Sequence, residues 1–116
     1  MELKNNVICR IALDGATADN GGLYVLPRSH RENYGGNENI LARFADQKGQ
    51  IASQPPGSAL FYRPLLLHRS EKSRSDKRRR ILHLSFGPAD LTLPGAELYP
   101  WPQPIPLSPL DDLCPA

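Results

Sequence analysis

Every run of β-branched and aromatic residues in this 116-residue chain is cut short by glycine or proline, so strands must be brief and a long helix has nowhere to grow. The segment "NVICRIALD" begins almost at the N-terminus. Its alternation places Val7, Cys9, Ile11 and Leu13 on one face of a strand and Ile8, Arg10 and Ala12 on the other. "DGATADNGG" follows as a loop in which Asn20, Gly21 and Gly22 tolerate positive φ, and "LYVLP" reads as a short strand stopped by Pro27. The segment from Arg28 to Gly36 is polar and loop-like. In "ENILARFADQKG", from Glu38 to Gly49, Ile40, Leu41 and Phe44 recur at helical spacing before a glycine stop, which predicts one short helix. "SQPPGSALFYRPLLLH" predicts a turn at Pro55–Ser58 leading into a strand that carries His68 at its end, with Pro64 requiring an edge position or a bulge. "RRILHLSFG" predicts a further strand with Arg79, Ile81, His83 and Ser85 on one face and Arg80, Leu82, Leu84 and Phe86 on the other. The expected class is therefore all-β, an antiparallel sandwich or jelly roll with one helix.

A chain of this length has room for one core, burying roughly 65% of the surface exposed on unfolding. Eight of the 29 residues from Pro88 onward are proline, so residues 89–116 read as an extended proline-rich arm beside a core at 1–88. Fourteen Lys and Arg against 12 Asp and Glu is too even a balance to indicate nucleic-acid or membrane binding. The charge is local: Arg69 to Arg80 holds seven cations and two acids, either a solvated loop or an RNA-contacting patch, and its lack of interleaved aromatics disfavours RNA. Cys9 and Cys114 have neither zinc nor redox spacing and read as reduced thiols of a soluble cytoplasmic protein, with no leader-like or membrane-spanning apolar run.

The stretch from Leu65 to Phe86 places His68 at the end of an apolar run and an arginine cluster where the next begins. A neutral imidazole can ligate a divalent metal, and a guanidinium offers a rigid donor fork to a carboxylate. His68 and Arg79 are eleven residues apart, enough to round a loop and return beside the first strand, and Ser70 points the same way as His68 if the strand continues.

"IALDGATADNGGLYVLPRSHR", "GSALFYRPLLLHRS" and "RRRILHLSF", within about residues 7–88, resemble the phytanoyl-CoA dioxygenase family of iron(II)/2-oxoglutarate-dependent oxygenases. The resemblance implies a cupin-like double-stranded β-helix, iron held by a His-x-Asp pair plus a distal His, and 2-oxoglutarate whose far carboxylate pairs with an arginine. It implies oxidative decarboxylation of that acid coupled to hydroxylation of a small-molecule substrate. Carried over by position, His68 is the distal iron ligand and Arg79 the carboxylate clamp, assisted by Ser70, with Arg10 a weaker candidate on a strand that lines the pocket.

Three departures from the family pattern stand out: Arg28 in "LPRSH" replaces a usual glycine, Arg69 replaces a usual small residue, and no His-x-Asp precedes the Val7 strand. The last predicts an N-terminally incomplete fold and a fragment with an incomplete iron site, inactive alone. His30-Arg31-Glu32 is a formal substitute pair, although a structural histidine beside a solvated glutamate is the simpler reading. His83 shares a face with Arg79 but reads as a satisfied interior histidine. The alternative from another class is a non-catalytic β-sandwich module that binds a small carboxylate or a protein partner without metal. Because the first strand is apolar on one face, the sequence also predicts an exposed apolar surface around Val7, Cys9 and Ile11, or a homo-oligomer that hides it.

Overall fold

The computed structural model describes residues 2–32 and 37–88; the proline-rich arm assigned to 89–116, and Cys114 with it, lies outside the described residues. The architecture is mostly β with one helix. After a 3-10 turn at Glu2–Asn5 come β1 (Val7–Ala12), β2 (Leu23–Val25), a second 3-10 turn (Ser29–Arg31), α1 (Asn37–Asp46), β3 (Gln50–Ala52), β4 (Ser58–Tyr62), β5 (His68–Ser70) and β6 (Ile81–Phe86). They form two antiparallel three-stranded sheets, ordered β4-β1-β6 and β3-β2-β5.

The β1 register bears out the alternation. Ile8, Arg10 and Ala12 pair with Tyr62, Leu60 and Ser58 on β4 and with Ser85, His83 and Ile81 on β6, so these side chains share the inner face. Cys9 pairs with Phe61 and Leu84 on the outer face. On the second sheet Leu23 and Val25 share a face with Ser70 and His68, while Tyr24 and Arg69 point the other way. There the Arg69 guanidinium lies 4.8 Å from the centre of the Tyr24 ring and 5.7 Å from that of Phe44 on α1, a cation–π contact that ties the helix to the outside of the sheet.

The core is thin. Cys9, Ala12, Ala16, Leu23, Leu26 and Tyr62 are buried, and no large side chain among the described residues is completely enclosed. Burying Leu23 or Tyr62 supplies about 1.5 to 3 kcal/mol each, so a small set of such contacts carries the fold. The loop between β1 and β2 is fixed by polar contacts instead: buried Asn20 accepts the Thr17 N–H at 2.7 Å and donates to the Gly15 carbonyl at 3.3 Å. Gly21 at φ 81° makes the turn that the sequence assigned to this Asn-Gly-Gly run, whereas Asn20 itself does not take positive φ.

Four expectations are corrected. The strand expected to run to His68 ends at Tyr62, because Pro64 cannot join the ladder; the Leu66 N–H closes a turn onto the Arg63 carbonyl at 2.9 Å, and His68 opens a new strand. The helix covers Asn37–Asp46 rather than Glu38–Gly49, and Leu41, expected on its apolar face, is exposed. β3 was not anticipated at all. Cys9 is buried, with Val7 and Ile11 half-buried, because β1 is the central strand; the exposed part of that apolar face is flanking Phe61, Leu82, Leu84 and Phe86. No helix among the described residues is long and apolar enough to cross a membrane.

Candidate functional site

The two sheets meet where Tyr62 of β4 packs edge-on against His68 of β5, ring centres 5.4 Å apart and planes at 64°. That contact brings the His68–Ser70 face of one sheet toward the Arg10 face of the other. His68 Nδ1 lies 2.7 Å from the Leu66 carbonyl oxygen. A carbonyl only accepts, so in the neutral ring Nδ1 carries the proton and Nε2 keeps its lone pair, the arrangement a metal-ligating imidazole needs.

Arg10 sits at the centre of β1, between Leu60 and His83, and is 8% exposed. Burial and, secondly, the neighbouring Arg79 cation lower its affinity for its proton; a hydrogen bond to Tyr62 partly offsets this. The Tyr62 phenol is pushed up by the same burial and pulled back by Arg10. Two of the Arg10 donors, Nε and Nη2, are buried without a hydrogen-bond partner.

Arg79 stands just before β6. Alternation back from Ile81 and His83, which pair with Ala12 and Arg10, sets it on the inner face. Its guanidinium packs against Gly21, where a Cβ would come within 3.3 Å of Nε, so the glycine makes room for the approach. Arg79 has no ion pair among the described residues. Arg80 is directed outward and held there by Asp14: its Nη2 donates to Oδ1 at 2.7 Å, its Nε to Oδ2 at 2.9 Å, and its backbone N–H to Oδ2 at 2.8 Å.

Tyr62, which sequence reasoning passed over, touches His68 and lies beside Arg10, while Ser70 shares the His68 face of its sheet and Arg79 the Arg10 face of the other. Its signal was its place in the alternating segment Leu60–Tyr62, opposite the Arg10 side of β1. His83 is on the expected face but is exposed, not interior, because β6 is an edge strand. Of the His30/Glu32 pair, Glu32 lies 3.4 Å from Arg43, and His30 sits in the 3-10 turn Ser29–Arg31. A separate cleft of about 320 Å3, lined by Asp14, Gln54 and Lys77 among others, includes none of these side chains.

The donor set fits an acid better than a metal. Two guanidiniums and a serine hydroxyl suit the far carboxylate of a dicarboxylic 2-oxo acid, and the orphaned Arg10 donors are groups such a ligand would satisfy. Among the described residues, no group of three or more His, Cys, Asp or Glu could hold a metal ion.

Comparison with known proteins identifies relatives of the chain. Methylphosphonate hydroxylase from Gimesia maris is 31% identical over 88 residues, covering 72% of this chain and 34% of that protein. Two crystal structures of EctD from S. alaskensis share the fold. The one with 2-oxoglutarate and 5-hydroxyectoine has a TM-score of 0.62 at 23% identity, covering 74% of this chain and 32% of that one. The one with bound Fe has a TM-score of 0.60 at 24% identity, covering 72% and 32%. The chain therefore spans about a third of the length of the relatives it matches. The sequence model of phytanoyl-CoA dioxygenase (PhyH) matches residues 3–81, and the chain belongs to the phytanoyl-CoA dioxygenase family.

Proposed function

We propose that this chain forms the cofactor-clamping portion of an iron(II)/2-oxoglutarate-dependent hydroxylase built on a double-stranded β-helix. The observation that supports the reading is the edge-on contact of Tyr62 with His68, with Tyr62 also beside Arg10 on the inner face of the first sheet. Arg79 orients the far carboxylate of 2-oxoglutarate by a two-pronged charge-assisted contact, and Ser70 donates a hydroxyl proton to the same group. Arg10 adds positive charge from the inner face of β1. His68 presents Nε2 as one iron ligand, and its partners are to be sought outside the described residues. The family relationship and the 2-oxoglutarate and Fe bound by EctD support the cofactor assignment. The substrate is a small molecule, and the methylphosphonate hydroxylase relative makes small organic anions the first class to screen. A second reading, metal-free carboxylate binding by a non-catalytic module, is favoured by the same donor set.

Calorimetric titration with 2-oxoglutarate, with and without iron(II), separates the two readings. Arg79→Lys keeps the charge but loses the fork, and should weaken binding by roughly 1 to 3 kcal/mol. Arg80→Lys, at a position engaged by Asp14 on the other face, should leave it unchanged. Equal losses at both positions would mean a diffuse basic patch and defeat the assignment. Iron- and oxygen-dependent succinate formation supports the hydroxylase, whereas binding unaffected by iron and without turnover supports the module.

A further inference from the structure

The outer face of the β4-β1-β6 sheet is an apolar surface that the described residues leave uncovered. The register places Phe61 and Leu84 on either side of Cys9, Leu82 beside Ile11 and Phe86 beside Val7, so the patch is continuous across three strands. Phe61 is 64% exposed, and each of the three β6 side chains is more than a third exposed. Covering such a patch is favourable for whatever segment can reach it.

Length and charge single out that segment. β6 ends at Phe86, so residues 89–116, 28 in number, begin next to the patch. At about 3.1 Å per residue in polyproline form, against roughly 20 Å for β6, they are long enough to cross the face several times. Their apolar members include Leu91, Leu93, Leu98, Tyr99, Trp101 and Ile105, and the prolines between them fix φ, which lowers the entropy lost on docking. They carry four acids, Asp90, Glu97, Asp111 and Asp112, and no Lys or Arg, whereas residues 1–88 carry 14 cations and eight acids. Seven of those cations lie between Arg69 and Arg80, on the segment that leads into β6.

We propose that residues 89–116 dock in cis on the outer face of the β4-β1-β6 sheet, with Trp101 among the side chains that cover Phe61 and Leu84 and the acids turned toward the cations before β6. A segment tethered this close meets the face at an effective concentration on the order of millimolar. It therefore occupies the face in dilute protein, and a second copy displaces it only in concentrated solution.

Trp101 is the one tryptophan of the chain, so its fluorescence reports on this segment alone. The test uses the full 116-residue chain below the concentration at which light scattering detects association. Acrylamide quenching of Trp101 should be roughly threefold weaker than in the urea-unfolded chain, as for an indole that buries much of its area of about 150–250 Å2. That protection should not change on further dilution, because the contact is intramolecular. Phe61→Lys with Leu84→Lys should remove it, whereas Leu41→Lys, at a position 72% exposed on α1, should not. Asp90→Lys with Glu97→Lys alters no residue of the described fold and leaves the segment with as many lysines as acids; it should roughly halve the protection at low salt, where surface charges are least screened. Circular dichroism shows whether the first double variant is folded, and the second decides the matter if it is not. Quenching of the wild type as strong as in urea, or protection that survives the double variants, would overturn the proposal. So would protection that fades on dilution, which would assign the face to a second copy.

Discussion

Replacing Arg10 with Met should make the unliganded protein more stable and abolish its response to 2-oxoglutarate. Arg10 is 8% exposed on the central strand, its charged form is disfavoured first by burial and then by Arg79, and two of its donors are unpartnered. Leaving a buried donor unmade costs about 1 to 3 kcal/mol, while the lost hydrogen bond to Tyr62 was contributing about 1 kcal/mol. Met keeps the unbranched stem and fills much the same space between Leu60 and His83. The expected net gain is about 1 to 3 kcal/mol, since apolar replacement of a poorly compensated buried charge is often stabilising. At roughly 4 °C per kcal/mol for a chain of this size, Tm should rise by several degrees without ligand. Adding 2-oxoglutarate should raise the wild-type Tm through ligand linkage but leave Arg10→Met almost unmoved. Thermal unfolding followed by circular dichroism, at several 2-oxoglutarate concentrations, reads both effects. A Tm for Arg10→Met below that of the unliganded wild type would refute the reasoning, because the guanidinium would then be a net structural contributor.

Three further outcomes follow from particular residues. Arg28 is the one non-glycine residue with positive φ among those described, at 69°, and it heads the 3-10 turn Ser29–Arg31. Left-handed backbone costs an L-residue about 1 to 2 kcal/mol, and glycine's looser unfolded chain returns about 0.4 to 1 of it, so Arg28→Gly should stabilise by roughly 0.5 to 1 kcal/mol in urea unfolding. Arg28→Ala, which keeps the Cβ, should gain nothing, and an equal gain from alanine would show that charge was the cause. The Asp14 carboxyl is lowered from 3.8 to about 2, first by the Arg80 side chain and then by its backbone N–H. Its folded value lies below its unfolded one, so the stabilisation is complete above pH 3.8 and is lost as pH falls toward 2. Asp14→Asn should flatten the pH dependence in that window, and an unchanged acid profile would count against the pair. Phe61, Leu82, Leu84 and Phe86 are 64%, 47%, 37% and 39% exposed on one face of the β4-β1-β6 sheet. We expect concentration-dependent self-association through that face, and Phe61→Lys with Leu84→Lys should abolish it in light scattering without altering 2-oxoglutarate affinity.

Residues in the two six-residue strands were legible before any coordinates. The alternation Val7 to Ala12 assigned the correct faces because β1 packs on both, and the same period in Ile81 to Phe86 is kept by its pairing with β1. Three-residue strands carry no such period. Gln50–Ala52 went unseen because its order comes from Leu23, Tyr24 and Val25 across the sheet, and no local preference marks it. Pro64 was noticed but misjudged, since a bulge and a strand end make the same demand on proline and only the closing of the Arg63–Leu66 turn decides between them.

At the site, residue types and spacing were visible, while the environment that makes them useful was not. Within the three consecutive arginines 78 to 80, counting back from Ile81 by twos sends Arg79 inward and Arg80 outward. What alternation could not supply is the anchor: Asp14, 66 residues away, takes both the backbone N–H and the guanidinium of Arg80. Arg80 is thereby held at the entry to β6 by its main chain and its side chain, while the β1–β6 register and the space at Gly21 set Arg79 on the inner face. The outward salt bridge is worth little by itself at an exposed position. Its consequence is local: it holds Arg80 outward at the entry to β6, on the face opposite the one that the β1–β6 register gives Arg79.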